Sequence, residues 1–141
     1  MRLHTMAFFA LCAVAHAEAA AQAAPATMAV KFSVFDLSAA ESDPFVQGVS
    51  RGLVADSLLR SVYRPVAGSP ATAYLRDFEV ARYSVDARIG RRDSTFKFTL
   101  AIVDNRNSQV VARDSATVAP GESLAGIAAS HARSLARAVP R

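Results

Sequence analysis

The stretch from Phe96 to Val103 constrains the chain most, because Phe96, Phe98, Leu100 and Ile102 alternate strictly with Lys97, Thr99, Ala101 and Val103. A period of two sends the two sets to opposite sides of a strand, one of them apolar enough to demand burial. Such a strand needs neighbours at its edges and a layer over its apolar face. Turn-forming residues flank it, with Gly90-Arg91-Arg92-Asp93 before and Asp104-Asn105-Arg106-Asn107-Ser108 after. Strands are therefore expected on both sides, from Tyr74 to Val85 and from Gln109 to Val118, in an antiparallel meander. In the first of them Phe78 and Val80 share one face while Tyr83 and Val85 share the other, and this change of parity predicts a bulge near Ala81 or Arg82.

Upstream, Val30, Phe32 and Val34 alternate with Ala29, Lys31 and Ser33, giving a first strand near 28 to 37. Ser42-Asp43-Pro44 reads as an N-cap ahead of a first-turn proline, with Glu41 and Asp43 at the positive end of the helix dipole. Phe45, Val46, Val49, Leu53, Leu58, Leu59 and Val62 form an apolar stripe that carries this helix to about Tyr63, where Pro65 restricts Arg64. Pro120-Gly121-Glu122-Ser123 opens a second helix with Leu124, Ile127, Ala128, His131, Leu135 and Val139 on one face, stopped by Pro140. The order β-α-β-β-β-α predicts an α+β two-layer sandwich, a mainly antiparallel four-stranded sheet with two helices on one face. The helical crossover lets the first strand run parallel to a neighbour, in the middle of the sheet or at an edge.

Residues 1–23 have the parts of a cleavable export signal: Arg2 in a short basic start, an apolar run from Met6 to Val14, then small residues. Ala15-His16-Ala17 and Ala21-Gln22-Ala23 both fit the small-x-small cleavage rule, so the mature chain begins at Glu18 or Ala24, the second being preferred. The run is far shorter than the roughly 20 residues a membrane-spanning helix needs, so it predicts a removed signal and no stable anchor. Cys12 is the only cysteine and lies inside the run behind Phe9-Ala10-Leu11, not after the small residue a lipidation site wants. A chain cleaved at either site has no cysteine, which excludes a disulfide framework, a thiolate metal site and a cysteine nucleophile. The expected location is the periplasm, with residues 24–141 as a single domain held by its core.

The sequence has 16 Lys+Arg and 12 Asp+Glu, and removing Arg2 and Glu18 leaves 15 against 11. The mature charge is therefore mildly positive. Thirteen of these 15 cations are Arg, scattered from Arg51 to Arg141, which argues against a nucleic-acid partner and leaves anionic lipid head groups or envelope polymers as the acidic material such a surface would meet.

Few residues suggest chemistry. Asp77 and Glu79 flank Phe78 and share a strand face about 6.6 Å apart, inside the window of paired carboxylates in glycoside hydrolysis. Arg76 and Arg82 lie close by, so an ordinary solvated face accounts for the pair as well. His131 is the only histidine beyond the leader. One histidine cannot make the usual zinc set, and no Gly-x-Ser-x-Gly supplies a nucleophile for a triad. A place in the core, bonded to a carbonyl, is expected for it. Gly48 and Gly52 have phosphate-loop spacing without the following Lys-Ser/Thr, so close packing of the helix on the sheet explains them better. Arg91 and Arg92 at one hairpin tip and Arg106 at the next have guanidinium forks that match phosphate geometry, and these three are the candidate binding residues. No metal site and no cofactor are expected.

With this order of elements behind an export signal, the span from Val30 to Val139 resembles the periplasmic auxiliary components of ABC-type lipid transport, which are similar in layout to the lipopolysaccharide-assembly lipoproteins. The residues concerned are Phe32-Ser33-Val34-Phe35-Asp36-Leu37, Leu75-Arg76-Asp77-Phe78-Glu79, Phe98-Thr99-Leu100-Ala101-Ile102-Val103-Asp104 with the turn and strand after it, and the closing Ala-rich helix. The resemblance implies a non-enzymatic accessory protein that binds an envelope protein partner and assists lipid or surface-polymer transport. It carries no site residues. The chain departs from the family in its short mature length and in lacking a cysteine at the cleavage site. A glycan hydrolase using Asp77 and Glu79 and a soluble carrier of an apolar ligand are the alternatives from other classes.

Overall fold

The computed structural model describes residues 26–63 and 80–140. Among them are five strands and two helices: β1 (Thr27–Phe35), α1 (Ala39–Val54), β2 (Leu58–Tyr63), β3 (Tyr83–Arg92), β4 (Thr95–Asp104), β5 (Gln109–Val118) and α2 (Leu124–Ala138). The sheet order is β2-β1-β3-β4-β5. β1 pairs in parallel with both β2 and β3, while β3-β4 and β4-β5 are antiparallel. The α+β sandwich with two helices is therefore as expected, but its sheet is mixed and has a fifth strand.

That strand corrects the first helix. The helix starts earlier than Ser42: Ser38 is the N-cap, its hydroxyl accepting from the Glu41 amide while the Glu41 carboxylate accepts from the Ser38 amide. This reciprocal box satisfies two end groups that the proline-based reading left open. Pro44 falls inside the helix. The helix also stops nine residues before Tyr63, at Val54. The Ser57 hydroxyl donates to the Leu53 carbonyl, and the Leu58 amide turns away to the Ala26 carbonyl at 2.8 Å. From there Leu58, Leu59, Val62 and Tyr63 pair with β1, whose outer edge offers backbone partners that another two turns of helix would forgo.

Two other boundaries shift. β3 runs through Gly90-Arg91-Arg92 to Arg92, and the connection to β4 is only Asp93-Ser94, with Asp93 at φ 56°. Asp93 bears the left-handed conformation that Asp tolerates better than most residues. The first half of the strand expected from Tyr74, with Asp77 and Glu79, lies outside the described residues, and the described part of it is a strand only from Tyr83. Ala81 and Arg82 precede β3, and the bulges of the sheet fall instead in the β1-β2 pairing and between Ile102 and Val103 in β4-β5.

One face of the sheet carries Met28, Val30 and Phe32 of β1, Tyr83, Val85, Ala87 and Ile89 of β3, and Phe98, Leu100 and Ile102 of β4, all buried. Phe45, Val49 and Leu53 of α1 and Leu124, Ala128, Ala132 and Leu135 of α2 cover it. The rings of Phe32 and Phe45 meet edge to face at 5.8 Å and those of Phe45 and Phe98 lie 5.3 Å apart. The two helices approach very closely. A Cβ on Gly48 would collide with the Ala125 carbonyl, and one on Gly52 with the Ala129 carbonyl. The glycine pair thus serves packing, against the second helix rather than against the sheet.

Candidate functional site

The two helices among the described residues lie over one face of the sheet, and the opposite face is built by the alternate residues. Ala29 of β1 and Ser84 of β3 are buried there. Its exposed part, the open face, carries Lys31, Ser33 and Phe35 of β1, Asp86, Arg88, Gly90 and Arg92 of β3, Lys97, Thr99 and Ala101 of β4, and Arg113 and Ser115 of β5. Five cations stand here against the single carboxylate of Asp86. The other charged residues in the described part are nearly balanced, seven basic against eight acidic, so the excess positive charge of the described residues sits on this face.

Register fixes the arrangement. Lys97 lies opposite Gly90, and its diagonal neighbours on β3 are Arg88 and Arg92, at about 7 to 8 Å. Phe35 lies opposite Gly90 on the other side and is 54% exposed. With no side chain at Gly90, a shallow depression of about 330 Å³ opens between Phe35, Arg88, Arg92, Lys97 and Thr99. A second, of about 320 Å³, lies among Asp86, Arg88, Thr99 and Arg113. Arg88 holds Asp86 through Nε at 3.0 Å and Nη2 at 2.9 Å, and this carboxylate raises the guanidinium's pKa by hydrogen bonding first and by its charge second. Among the described residues Arg92, Lys97 and Arg113 have no ion-pair partner.

The three candidate arginines do not form one site. Arg91 has the parity of the core face, where it pairs with the Glu41 carboxylate at the start of α1 and stands over the Phe96 ring at 5.7 Å. It ties β3 to α1. Arg92 has the opposite parity and belongs to the open face. Arg106 lies in the β4-β5 turn at the other end of the sheet, about 30 Å from Arg92 along a ten-residue strand. Its backbone amide donates to Asp104 Oδ1 at 2.9 Å, and its side chain borders a depression of about 300 Å³ with Thr27, Arg82 and Asn105.

That end of the sheet is a polar lock. Arg82 Nη2 donates to Asp104 Oδ2 at 3.0 Å, the Arg82 amide donates to Thr27 Oγ1 at 2.8 Å, and Asn105 bonds Ser84 Oγ and the Ala81 carbonyl. The Arg106 amide and then the Arg82 guanidinium hold the Asp104 carboxyl below the usual carboxylate range.

His131 is half-buried and its partner is a side chain, not the backbone carbonyl expected: Nδ1 meets the Asp114 carboxylate of β5, and its ring edge packs on Phe98 at 5.5 Å. Among the described residues no group of three or more His, Cys, Asp or Glu could hold a metal ion, and no helix is long and apolar enough to cross a membrane.

The sequence reading missed Lys31, Arg88, Lys97 and Arg113 as a group. Each cation has a strand position opposite in parity to core residues, which is a legible signal strand by strand. Their meeting on one face depends on the sheet order.

No protein-family model matches the chain, and no curated protein matches it. Solved structures do. The chain is similar to PelC from Paraburkholderia phytofirmans, crystallised as a dodecamer, with a TM-score of 0.54 and 15% identity over 82% of this chain and 88% of that one. It is also similar to lipoprotein GNA1162 from Neisseria meningitidis, at 0.49 and 13% identity over 70% and 83% of the two chains. For TolB from Acinetobacter baumannii the values are 0.47 and 15%, over 82% of this chain and 30% of that one. The PelC likeness shows a shared fold; the lipid-transport resemblance rests on the order of elements alone.

Proposed function

We propose that this chain is an exported, non-enzymatic accessory domain of the bacterial envelope that assists lipid or surface-polymer export by binding a protein partner along the outer edge of β5. The observation that carries this reading is that edge. β5 has ten residues, it ends the sheet, and its outer backbone groups face no other strand among the described residues. Unpaired strand edges are templates for another strand, which supplies main-chain hydrogen bonds while side-chain positions set selectivity. PelC, of the same fold, forms a dodecamer, so a layout of this kind supports protein-protein assembly. A carrier of an apolar ligand would need room between the layers, where Phe32, Phe45 and Phe98 are packed ring against ring.

The test places a photoreactive residue at Ser115 on β5 and, separately, at Ser134 on the exposed side of α2, in protein produced with its own leader. Export predicts that the recovered protein lacks residues 1–23 and that Cys12→Ser changes neither its location nor its solubility. A discrete adduct from position 115 and none from 134 is expected, and its mass tells a second copy from another envelope protein. An intact N-terminus on periplasmic protein would refute cleavage of the leader. The absence of any adduct at 115 would refute the edge.

A further inference from the structure

We infer that the exposed cationic part of the open sheet face docks on an anionic phospholipid bilayer. Three observations meet here. First, charge is sorted between the layers: Lys31, Arg88, Arg92, Lys97 and Arg113 oppose only Asp86, which Arg88 already neutralises, while the rest of the described domain is balanced. Second, the cations stand on a low floor. Ser33, Gly90, Thr99, Ala101 and Ser115 lie between them, all small or short, and all five cationic residues are exposed. Third, Phe35 is 54% exposed at the rim of the same face, beside Arg88, Arg92 and Lys97.

The shape decides between anionic partners. A single polyanionic chain follows a line, and a groove serves it best. Here the cations come from four neighbouring strands, β1, β3, β4 and β5, and form a two-dimensional array over shallow depressions. A plane of positive charge fits a plane of phosphates. Arginine forks match phosphate oxygens, and an exposed aromatic ring suits the boundary between head groups and acyl chains. This surface is distinct from the β5 backbone edge, so membrane docking and strand pairing can occur together.

Vesicle co-sedimentation of the exported protein tests the inference, using phosphatidylcholine vesicles with and without phosphatidylglycerol. Binding is expected only with phosphatidylglycerol. It is expected to weaken as salt rises from about 0.01 to about 0.15 M, which shortens the screening length from roughly 30 to 8 Å. Each cation at an anionic surface is worth about fivefold in partition, so Arg92→Gln with Lys97→Gln should lower binding by roughly 25-fold. Phe35→Ser should lower it several-fold with the salt dependence kept. Arg51→Gln with Arg133→Gln removes equal charge from the helix layer and should leave binding unchanged. All these side chains are exposed, and circular dichroism with urea midpoints checks that each variant is folded. Comparing variants with the same N-terminus cancels any contribution from the leader. Equal binding by the two double variants would overturn the inference, as would equal binding to neutral vesicles. So would tight, face-dependent binding of a soluble acidic polysaccharide by protein that ignores the vesicles. Failure here leaves the adduct at Ser115 to be read by itself.

Discussion

Gly52 of α1 lies so close to Ala132 of α2 that a Cβ at position 52 would come within 2.8 Å of the Ala132 Cβ, besides colliding with the Ala129 carbonyl. In an exposed helix interior, replacing glycine by alanine gains about 1 kcal/mol, because alanine restricts the unfolded chain and favours helix. Here the sign should reverse. The added methyl meets backbone, which cannot swing aside, so Gly52→Ala should destabilise by about 1 to 3 kcal/mol, as overpacking does. Gln47→Ala on the exposed side of the same helix should stay within about 0.5 kcal/mol of the parent. Urea midpoints compare them, and a stabilised Gly52→Ala would mean that the helices are further apart than described.

Register in β4 gives a sharper contrast between neighbours. Phe98 is 1% exposed against Phe45 and His131, whereas Lys97 projects from the open face. Phe98→Ala should cost roughly 3 to 5 kcal/mol, as large-to-small core changes do. Lys97→Ala should cost well under 1 kcal/mol. A domain of this kind has about 5 to 15 kcal/mol of stability, so the first variant should show a much lower denaturant midpoint and the second almost none of that loss. Equal costs would mean that the strand is out of register by one residue.

The same alternation explains what could be read from the sequence. β4, β5 and α2 repeat their pattern over ten or more residues, long enough for a period of two or of 3.6 to declare itself. β2 has only six, and Leu58, Leu59 and Val62 also continue the i, i+4 stripe of α1. Nothing local decides between these. The choice is made by β1, whose free edge is a property of the assembled sheet. The candidate site was hidden for the same reason. Lys97 was legible as an outward residue, but its neighbours Arg88 and Phe35 come from two other strands, and the parallel placement of β1 against β3 cannot be read from either of them. Arg91 and Arg92 looked equivalent as a turn. Once β3 extends through both, they fall on opposite faces with different partners.

His131 and Asp114 link α2 to β5, and both side chains are about one-third exposed. Solvent screens such a pair, so a double-mutant cycle with His131→Ala and Asp114→Ala should return a coupling of no more than about 1 kcal/mol. His131→Leu keeps the contact with Phe98 and should change stability little, since the freed carboxylate can reach water. The cycle is read from urea midpoints. A coupling of several kcal/mol would show a pair far more shielded than this one.

Asp104 should make the domain sensitive to acid. Its carboxylate accepts from the Arg106 amide and from Arg82, and both contacts favour the charged form, so its pKa is lower folded than unfolded. A depressed carboxylate stabilises the fold above its unfolded value, about 3.9 for Asp, and loses that contribution as pH falls through the lower folded value. Asp104→Asn keeps an oxygen for the Arg106 amide but loses the charge that faces Arg82. The variant should therefore be less stable than the parent by a constant amount from pH 7 down to about pH 5. Below about pH 4 the parent's carboxylate begins to protonate in the unfolded chain, and the gap between the two should close. Urea midpoints of both proteins across this range provide the measurement. A gap that stays constant to the lowest pH at which the parent folds would show that the charge of Asp104 contributes nothing, and that only its geometry in the turn matters.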